Sequence, residues 1–264
     1  SSGTFIHQPI TSVPVVASHP DGGYMIGFGT GKYLEQSDIT DHTPQSFYGI
    51  WDKNVNPVHS IDRSDLVEQT IIDTQTIGSL KFRFASDNDV DYPTKKGWYM
   101  DLPEAGERVD VNPHHRTGRF IFVTRTPTTQ ACKAGGSSWL MELDYLTGGQ
   151  LPLNPLDVNG DGIIDDADSI TVTFIDKHGN QVTEKRAAGG VQYGDDGMIN
   201  SPALIDINKD LYNKAIVLTN GTSLDVQNKK PPPPLGGVPT GRLSWEEIVP
   251  VPNQSPYPIQ PLFL

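Results

Sequence analysis

Two similar stretches of the chain are Phe47-Tyr48-Gly49-Ile50-Trp51-Asp52 and Trp139-Leu140-Met141-Glu142-Leu143-Asp144. Each is dense in aromatic and aliphatic residues, which are favoured in β-strands. Each ends in an aspartate, a residue type that hydrogen-bonds the backbone of a following turn. We interpret the two stretches as copies of one strand, similar to the strands of β-propeller blades, in which aromatic side chains pack between blades.

Outward from these two strands, further short runs have strand composition and are bounded by Gly, Pro, Asn or Asp. They are Tyr24–Phe28, Lys81–Ala85, Trp98–Asp101, Arg119–Arg125, Ser169–Asp176 and Ala215–Thr219. The best candidate for a short helix is Asp62–Thr70, and no longer segment shows a helical apolar period. Many strands without crossover helices argue against a parallel α/β sheet and favour a sandwich, a barrel or a propeller.

Composition narrows the class of protein further. The 264 residues include 26 Gly and 22 Pro, and only 36% are hydrophobic. No apolar run approaches the roughly 18 residues that a membrane span needs. The net charge of −12 disfavours binding to nucleic acid phosphates, because no basic stripe compensates for it. Cys132 is the one cysteine, so no intrachain disulfide can form.

The chain changes character near its end. Lys229 and Lys230 precede four consecutive prolines, and such a run favours an extended polyproline conformation over a place in a sheet. We therefore expect a strand-rich part over residues 1–228, a Pro/Gly-rich linker over 229–240, and a terminal strand with an extended tail over 241–264.

The strongest local motif runs from Asp157 to Asp168 and matches the calcium-loop template at positions 1, 3, 5, 6, 9 and 12. Acidic and amide side chains alternate at its start, Gly162 permits the sharp turn, and Ile164 is expected to pin the loop to a core. Ca²⁺ takes six to eight oxygen ligands, which the loop can supply. The candidate ligands are Asp157, Asn159, Asp161, the Ile163 carbonyl, Asp165 and Asp168.

Position 12 of this loop is Asp168 rather than the usual Glu, and its shorter arm favours a weaker site. The loop is not framed by two helices, since prolines precede it and a strand-like run follows it. An Asp/Asn/Gly-rich turn without a metal is the alternative, although clustered carboxylates repel each other when no cation is present. Two other acidic runs, 87–91 and 206–210, we interpret as turns.

Several blocks of the sequence, in order, resemble the PilY1 family of type IV pilus biogenesis and tip-adhesin proteins. They are Gly27–Glu35, Asp38–Thr40, Gln45–Asp52, Gly97–Pro103, Gly106–Val109, Gly135–Asp144, Thr147–Gly149 and Gly241–Trp245. The resemblance implies a modified β-propeller, of which this chain would form the C-terminal blades. It also implies a calcium loop with ligands at Asp157, Asn159, Asp161, Ile163 and Asp165.

By this resemblance, the protein is expected to be a non-enzymatic adhesin and assembly factor at the pilus tip. Calcium would regulate pilus extension, retraction and surface attachment. The expected partners are minor pilins of the tip complex and an unknown surface or host-cell ligand. The expected location is the pilus tip or outer surface of a Gram-negative bacterium.

Two alternatives remain open from the sequence. The strand around Trp139–Gly148 also resembles the repeats of quinoprotein propellers, which would make the protein an oxidoreductase. The calcium loop on a β scaffold would equally suit a calcium-stabilised extracellular binding module.

Overall fold

A computed structural model describes residues 7–54, 60–129, 135–192, 197–208, 211–217 and 223–229 of the chain. The strands are β1 Val15–Ser18, β2 Tyr24–Gly29, β3 Ser46–Asp52, β4 Val67–Gln69, β5 Ile71–Ile77, β6 Leu80–Ala85, β7 Gly97–Asp101, β8 His114–Arg116, β9 Arg119–Pro127, β10 Gly136–Asp144, β11 Ile170–Ile175, β12 Gln181–Arg186, β13 Gly190–Gln192, β14 Ala203–Asn208, β15 Leu211–Val217 and β16 Ser223–Lys229. Short 3₁₀ turns complete the regular structure, and no α-helix occurs among the described residues. The all-β prediction is therefore confirmed.

These strands form two large sheets and two small ones. The first sheet has the order β1-β2-β3-β7-β4, and the second has the order β5-β6-β13-β10-β9-β8. The β11–β12 hairpin and the β14-β15-β16 sheet stand apart from them in hydrogen bonding. Within the described ranges, these sheets do not close into a propeller ring.

The two large sheets share one core of aromatic and sulfur-containing side chains. Phe47 of the first sheet stacks on Phe122 of the second, with ring centroids 3.9 Å apart. Trp98 is fully buried in the same cluster. It lies against Gly49, where a Cβ atom would come within 2.4 Å of the indole ring. Phe47, Trp51 and Trp139 of the two copied strands therefore lie in the core between the two sheets.

The second sheet is buried on both faces, because its strands alternate between two cores. On β9, Phe120 and Phe122 face the first sheet, whereas Ile121 and Val123 face the opposite core. The opposite core also contains side chains from the segment that leads into β11 and from β11 itself. These are Leu156, Val158, Ile164 and Val172.

Buried ion pairs tie the strands of the second sheet to the turn that follows β7. Arg83 of β6 is 2% exposed, and its guanidinium lies 2.6 Å from the Glu107 carboxylate, which is fully buried. The same guanidinium pairs with Glu104 at 2.9 Å and lies 3.8 Å above the Trp139 ring. Arg119 and Glu142 form a further buried pair across β9 and β10 at 2.9 Å.

The predicted strands overlap observed ones, but the predicted helix over Asp62–Thr70 is wrong. A single 3₁₀ turn spans Arg63–Asp65, and the chain then extends into β4, which pairs in parallel with β7. Gln69 is fully buried, and its amide donates to the carbonyls of Asn88 and Thr147. Sheet pairing and these long-range bonds outweigh the weak local helix preference.

Contacts between Cα atoms divide the chain into residues 1–231 and residues 232–264. The second unit lies outside the described residues. So do the predicted terminal strand and all of the predicted linker over 229–240 except its first residue, which ends β16. The two boundaries inferred from composition therefore stay predictions.

Candidate metal site

The acidic loop is anchored on the second core by its apolar side chains. Val158 and Ile164 are 5% and 8% exposed and belong to that core, whereas Ile163 is 49% exposed. This arrangement confirms that Ile164 pins the loop. The polar residues between these anchors are consequently held at the surface, beside the start of β11.

Asp157 organises the first turn of the loop. Its Oδ1 accepts a hydrogen bond from the Gly160 amide at 2.7 Å, and its Oδ2 accepts one from the Gly162 amide at 2.9 Å. Gly160 and Gly162 have φ values of 77° and 82°, the left-handed region that favours glycine. The glycine at position 6 therefore makes the sharp turn predicted from the sequence.

The next two predicted ligands form smaller turns of the same kind. The Asn159 Oδ1 accepts from the Asp161 amide at 2.8 Å, and the Asp161 Oδ1 accepts from the Ile163 amide at 2.8 Å. The Asn159 side-chain amide donates to the Asp161 Oδ2 at 3.1 Å. Both side chains are exposed, so their remaining lone pairs can take a further ligand from solvent.

The last two predicted ligands, Asp165 and Asp168, differ in burial. Asp165 is exposed and caps the short 3₁₀ turn Asp166–Asp168 by accepting from the Ala167 amide. Asp168 is fully buried. Its Oδ1 accepts from the amides of Val158 and Asn159, and its Oδ2 accepts from the Asp165 amide.

Asn154 is a loop-shaping residue that the sequence reasoning missed. Its Nδ2 donates to the Asp165 carbonyl at 2.7 Å and to the Ser169 hydroxyl at 2.9 Å, while its Oδ1 is buried without a partner. It precedes the motif by three residues and lies between two prolines, so no template position marks it.

The donor set fits a hard cation such as Ca²⁺, because it consists of carboxylate, amide and carbonyl oxygens at loop positions 1, 3, 5, 7 and 9. The carboxylates themselves are turned toward backbone amides. Among the described residues, no three His, Cys, Asp or Glu side chains are gathered as a metal cluster. The oxygen types in the loop therefore suit calcium. Binding would require the acidic side chains to turn toward one common point.

The segment that carries the first block of the family resemblance is held by one buried cation. The Arg108 guanidinium donates to the carbonyls of Lys32, Asp38 and Asp41 at 2.7–2.8 Å. A Cβ atom on Gly31 would lie 2.4 Å from the Arg108 side chain. Backbone amides at residues 34 and 35, together with Lys32, hold the pKa of Asp38 down to about 2.

The two adjacent histidines of β8 do not act together. The His114 Nε2 lies 2.8 Å from the Ser201 hydroxyl, whereas the His115 ring packs beside Tyr145 with a centroid distance of 4.9 Å. Burial lowers the pKa of His114, and it lowers the pKa of His115 to about 4. Both rings are therefore neutral at pH 7.

Comparison with known sequences agrees with the blocks described above. Residues 1–82 match a family model described as the PilY1 beta-propeller domain. A type IV pilus biogenesis factor PilY1 homolog from Xylella fastidiosa is 36% identical over 148 residues, which cover 54% of this chain and 10% of the relative. The type IV pilus biogenesis factor PilY1 of Pseudomonas aeruginosa is 32% identical over 181 residues, which cover 60% and 16% respectively. The chain thus matches only about a tenth to a sixth of the length of these curated relatives, whose names are those of pilus biogenesis factors and not of enzymes.

Comparison with solved structures shows the same fold. The crystal structure of the Pseudomonas aeruginosa PilY1 C-terminal domain superposes with a TM-score of 0.65 at 23% sequence identity. The match covers 85% of this chain and 45% of that domain. Among the described residues, no helix is long and apolar enough to span a membrane. The resemblance inferred from the sequence is confirmed: the chain is similar to PilY1 proteins in sequence, and its fold is similar to part of the solved PilY1 C-terminal domain.

Proposed function

We propose that this chain is part of a pilus-tip adhesin and assembly factor of type IV pili, and that its loop over residues 157–165 binds calcium. The names of the relatives support the pilus role. The observation that carries the calcium role is a core-anchored loop whose exposed residues present oxygen donors at alternate positions. The protein would act at the pilus tip or outer surface of the cell, with minor pilins as partners.

The two large sheets would be blades of a modified propeller. Their shared aromatic core has the face-to-face packing that blades require, and the match to less than half of the solved domain leaves room for further blades. An edge strand such as β1 would then pair or pack with other parts of the parent protein, since open edges favour strand addition.

Calcium would act on the loop by neutralising its acids. Asp157, Asp161 and Asp165 repel one another when they converge, and a divalent ion reverses the sign of that interaction. Because Ile164 and Val158 fix the loop to the second sheet, a change in the loop is passed to that sheet. Such a change would regulate pilus extension, retraction and attachment.

Calorimetric titration of Asp161→Ala tests the calcium site. The variant is expected to lose calcium binding, because it removes a central carboxylate, while its far-UV circular dichroism keeps the β signature of the unchanged protein. The matched control is Asp166→Ala, which removes an exposed acid outside the proposed ligand set. Equal calcium affinity in the unchanged protein and Asp161→Ala would contradict the proposal.

The pilus role is tested by capture of purified minor pilins with and without a chelator. We expect the protein to capture minor pilins only in the presence of calcium. We also expect the Asp161→Ala variant to capture less of them. Calcium-dependent stability without any capture of pilins would favour the alternative of a calcium-stabilised binding module. A visible absorbance band and reduction of a redox dye by the purified protein would favour the quinoprotein alternative.

A further inference from the structure

Asp168 differs from every other acid of the loop in how it is buried and bonded. Its residue is 0% exposed, whereas Asp161 and Asp165 are exposed and Asp157 is half-buried. Its carboxylate accepts three backbone hydrogen bonds of 2.8, 3.2 and 2.8 Å. A buried carboxylate needs such partners, and bonds to an ionised acceptor are among the stronger hydrogen bonds.

These three bonds join the two ends of the loop. The Asp168 Oδ1 accepts from the amides of Val158 and Asn159, which directly follow the first proposed ligand. The Oδ2 accepts from the amide of Asp165, which is the last proposed ligand. One side chain therefore links the two ends of the loop through backbone hydrogen bonds. Since Oδ1 already accepts two bonds, bidentate binding of an ion by Asp168 would cost a backbone bond inside the core.

We propose that Asp168 is a positioning residue that sets the shape of the loop backbone, and that it is not a calcium ligand. This inference rests on the calcium site proposed above. The ion would be bound by oxygens of residues 157, 159, 161, 163 and 165. The Asp at position 12, one methylene shorter than the usual Glu, serves the amides of the loop in place of the ion.

Asn154 reinforces the same closure from outside the loop. Its Nδ2 fixes the Asp165 carbonyl and the Ser169 hydroxyl, so the segment that carries Asp168 is held on both sides. The two ends of the loop are consequently held by protein groups, and the exposed residues between them are the part that responds to calcium.

The first measurement is the melting temperature in excess chelator, where no ion contributes. Asp168→Asn replaces one acceptor oxygen by a donor and is expected to lower the melting temperature by at least about 3 °C. Asp166→Asn, which makes the same charge change in the same 3₁₀ turn, and Asp161→Asn are expected to change it by less. Equal melting temperatures for Asp168→Asn and Asp166→Asn in chelator would overturn the positioning role.

The second measurement counts the water molecules bound to Eu³⁺, a calcium substitute, from luminescence lifetimes in H₂O and D₂O. Asn159→Ala, which removes a proposed ligand without removing a charge, is expected to raise the count by about one, because water replaces the lost oxygen. Asp168→Asn is expected to leave the count unchanged and only to weaken binding. A raised count in Asp168→Asn would make Asp168 a ligand and overturn the inference.

Two further outcomes keep the proposals distinguishable. If Asp168→Asn does not fold, Asn154→Ala replaces it, because that variant loosens the same part of the loop without changing a carboxylate. Its melting temperature in chelator is expected to be lower than that of the unchanged protein, and its count of Eu³⁺-bound water molecules is expected to be the same. If the unchanged protein binds neither Ca²⁺ nor Eu³⁺, the calcium site itself is wrong, and the melting temperatures in chelator still decide whether Asp168 holds the loop.

Discussion

His115 shows how one buried ring can make the stability of this fold depend on pH. The ring packs beside Tyr145 and edge-on to Phe120, and its Nε2 is buried without a hydrogen-bond partner. Burial lowers its pKa from 6.5 to about 4. The folded protein therefore favours the neutral ring. As the pH falls, His115 of the unfolded chain binds a proton at a higher pH than His115 of the folded protein.

The sign of the pH dependence follows from this difference. Because the pKa is lower in the folded state, the contribution of His115 is fully present above pH 6.5 and is lost as the pH falls toward 4. We expect the free energy of unfolding to fall by about 2–3 kcal/mol more in the unchanged protein than in His115→Phe between pH 7 and pH 4. Urea titrations of both proteins at the two pH values measure it. Parallel losses in the two proteins would show that the ring is solvated in the fold.

The strands of the second sheet depend on charge as well as on apolar packing. Arg83 places a cation from β6 beneath the Trp139 ring of β10, and the Glu107 carboxylate that balances it comes from the turn after β7. Neither charge is open to water. Removing one partner would leave the other charged and buried, which costs far more than losing a surface pair.

Arg83→Met is accordingly expected to destabilise the protein by about 3–5 kcal/mol. Adding Glu107→Gln should recover part of that loss, because the stranded carboxylate is gone. The control is Lys96→Met, which breaks a partly exposed pair with Asp65 and should cost about 1 kcal/mol or less. Urea denaturation of these three variants and of Glu107→Gln alone provides the free energies of unfolding. Strictly additive effects of the two changes at Arg83 and Glu107 would argue against a coupled pair.

The first and second sheets share one buried core, and neither has a complete core without the other. Phe47 and Trp98 from the first sheet and Phe120 and Phe122 from the second belong to the same buried cluster. A sheet that lost its partner would expose this entire aromatic surface to water.

We therefore expect the two sheets to unfold in a single transition. Hydrogen exchange followed by mass spectrometry should give the slowest amides of β3 and β9 the same free energy of opening, close to the global value. The hairpin β11–β12, which has exposed residues on both strands, is expected to exchange earlier. Separate opening energies for β3 and β9 would indicate two independent units.

The sequence predicts best where side chains alone determine the local structure. Long runs such as Arg119–Arg125 and Trp139–Leu143 are predicted as strands because aromatic, aliphatic and β-branched residues dominate them. Ile164 is predicted as an anchor because an apolar side chain in an acidic loop favours burial. The turn aspartates also followed from residue type, since the Asp144 Oδ1 accepts from the amides of Leu146 and Thr147.

Prediction failed where distant partners decide the structure. β4 and β13 have three residues each and gain their conformation from neighbouring strands, so no local pattern marks them. The buried setting of Asp168 and the bonds of Asn154 likewise depend on groups up to 15 residues away. Composition and spacing identify the donors of the loop but do not reveal which of them face the backbone.

The position of β13 delays completion of the second sheet during synthesis. This strand, Gly190–Gln192, lies between β6 and β10 and pairs with both. Because translation proceeds from the N-terminus, β6 and β10 each have an open edge until β13 has also been synthesised. The second sheet is therefore completed only after β13 has been synthesised, and until then the two open edges can pair with other extended segments.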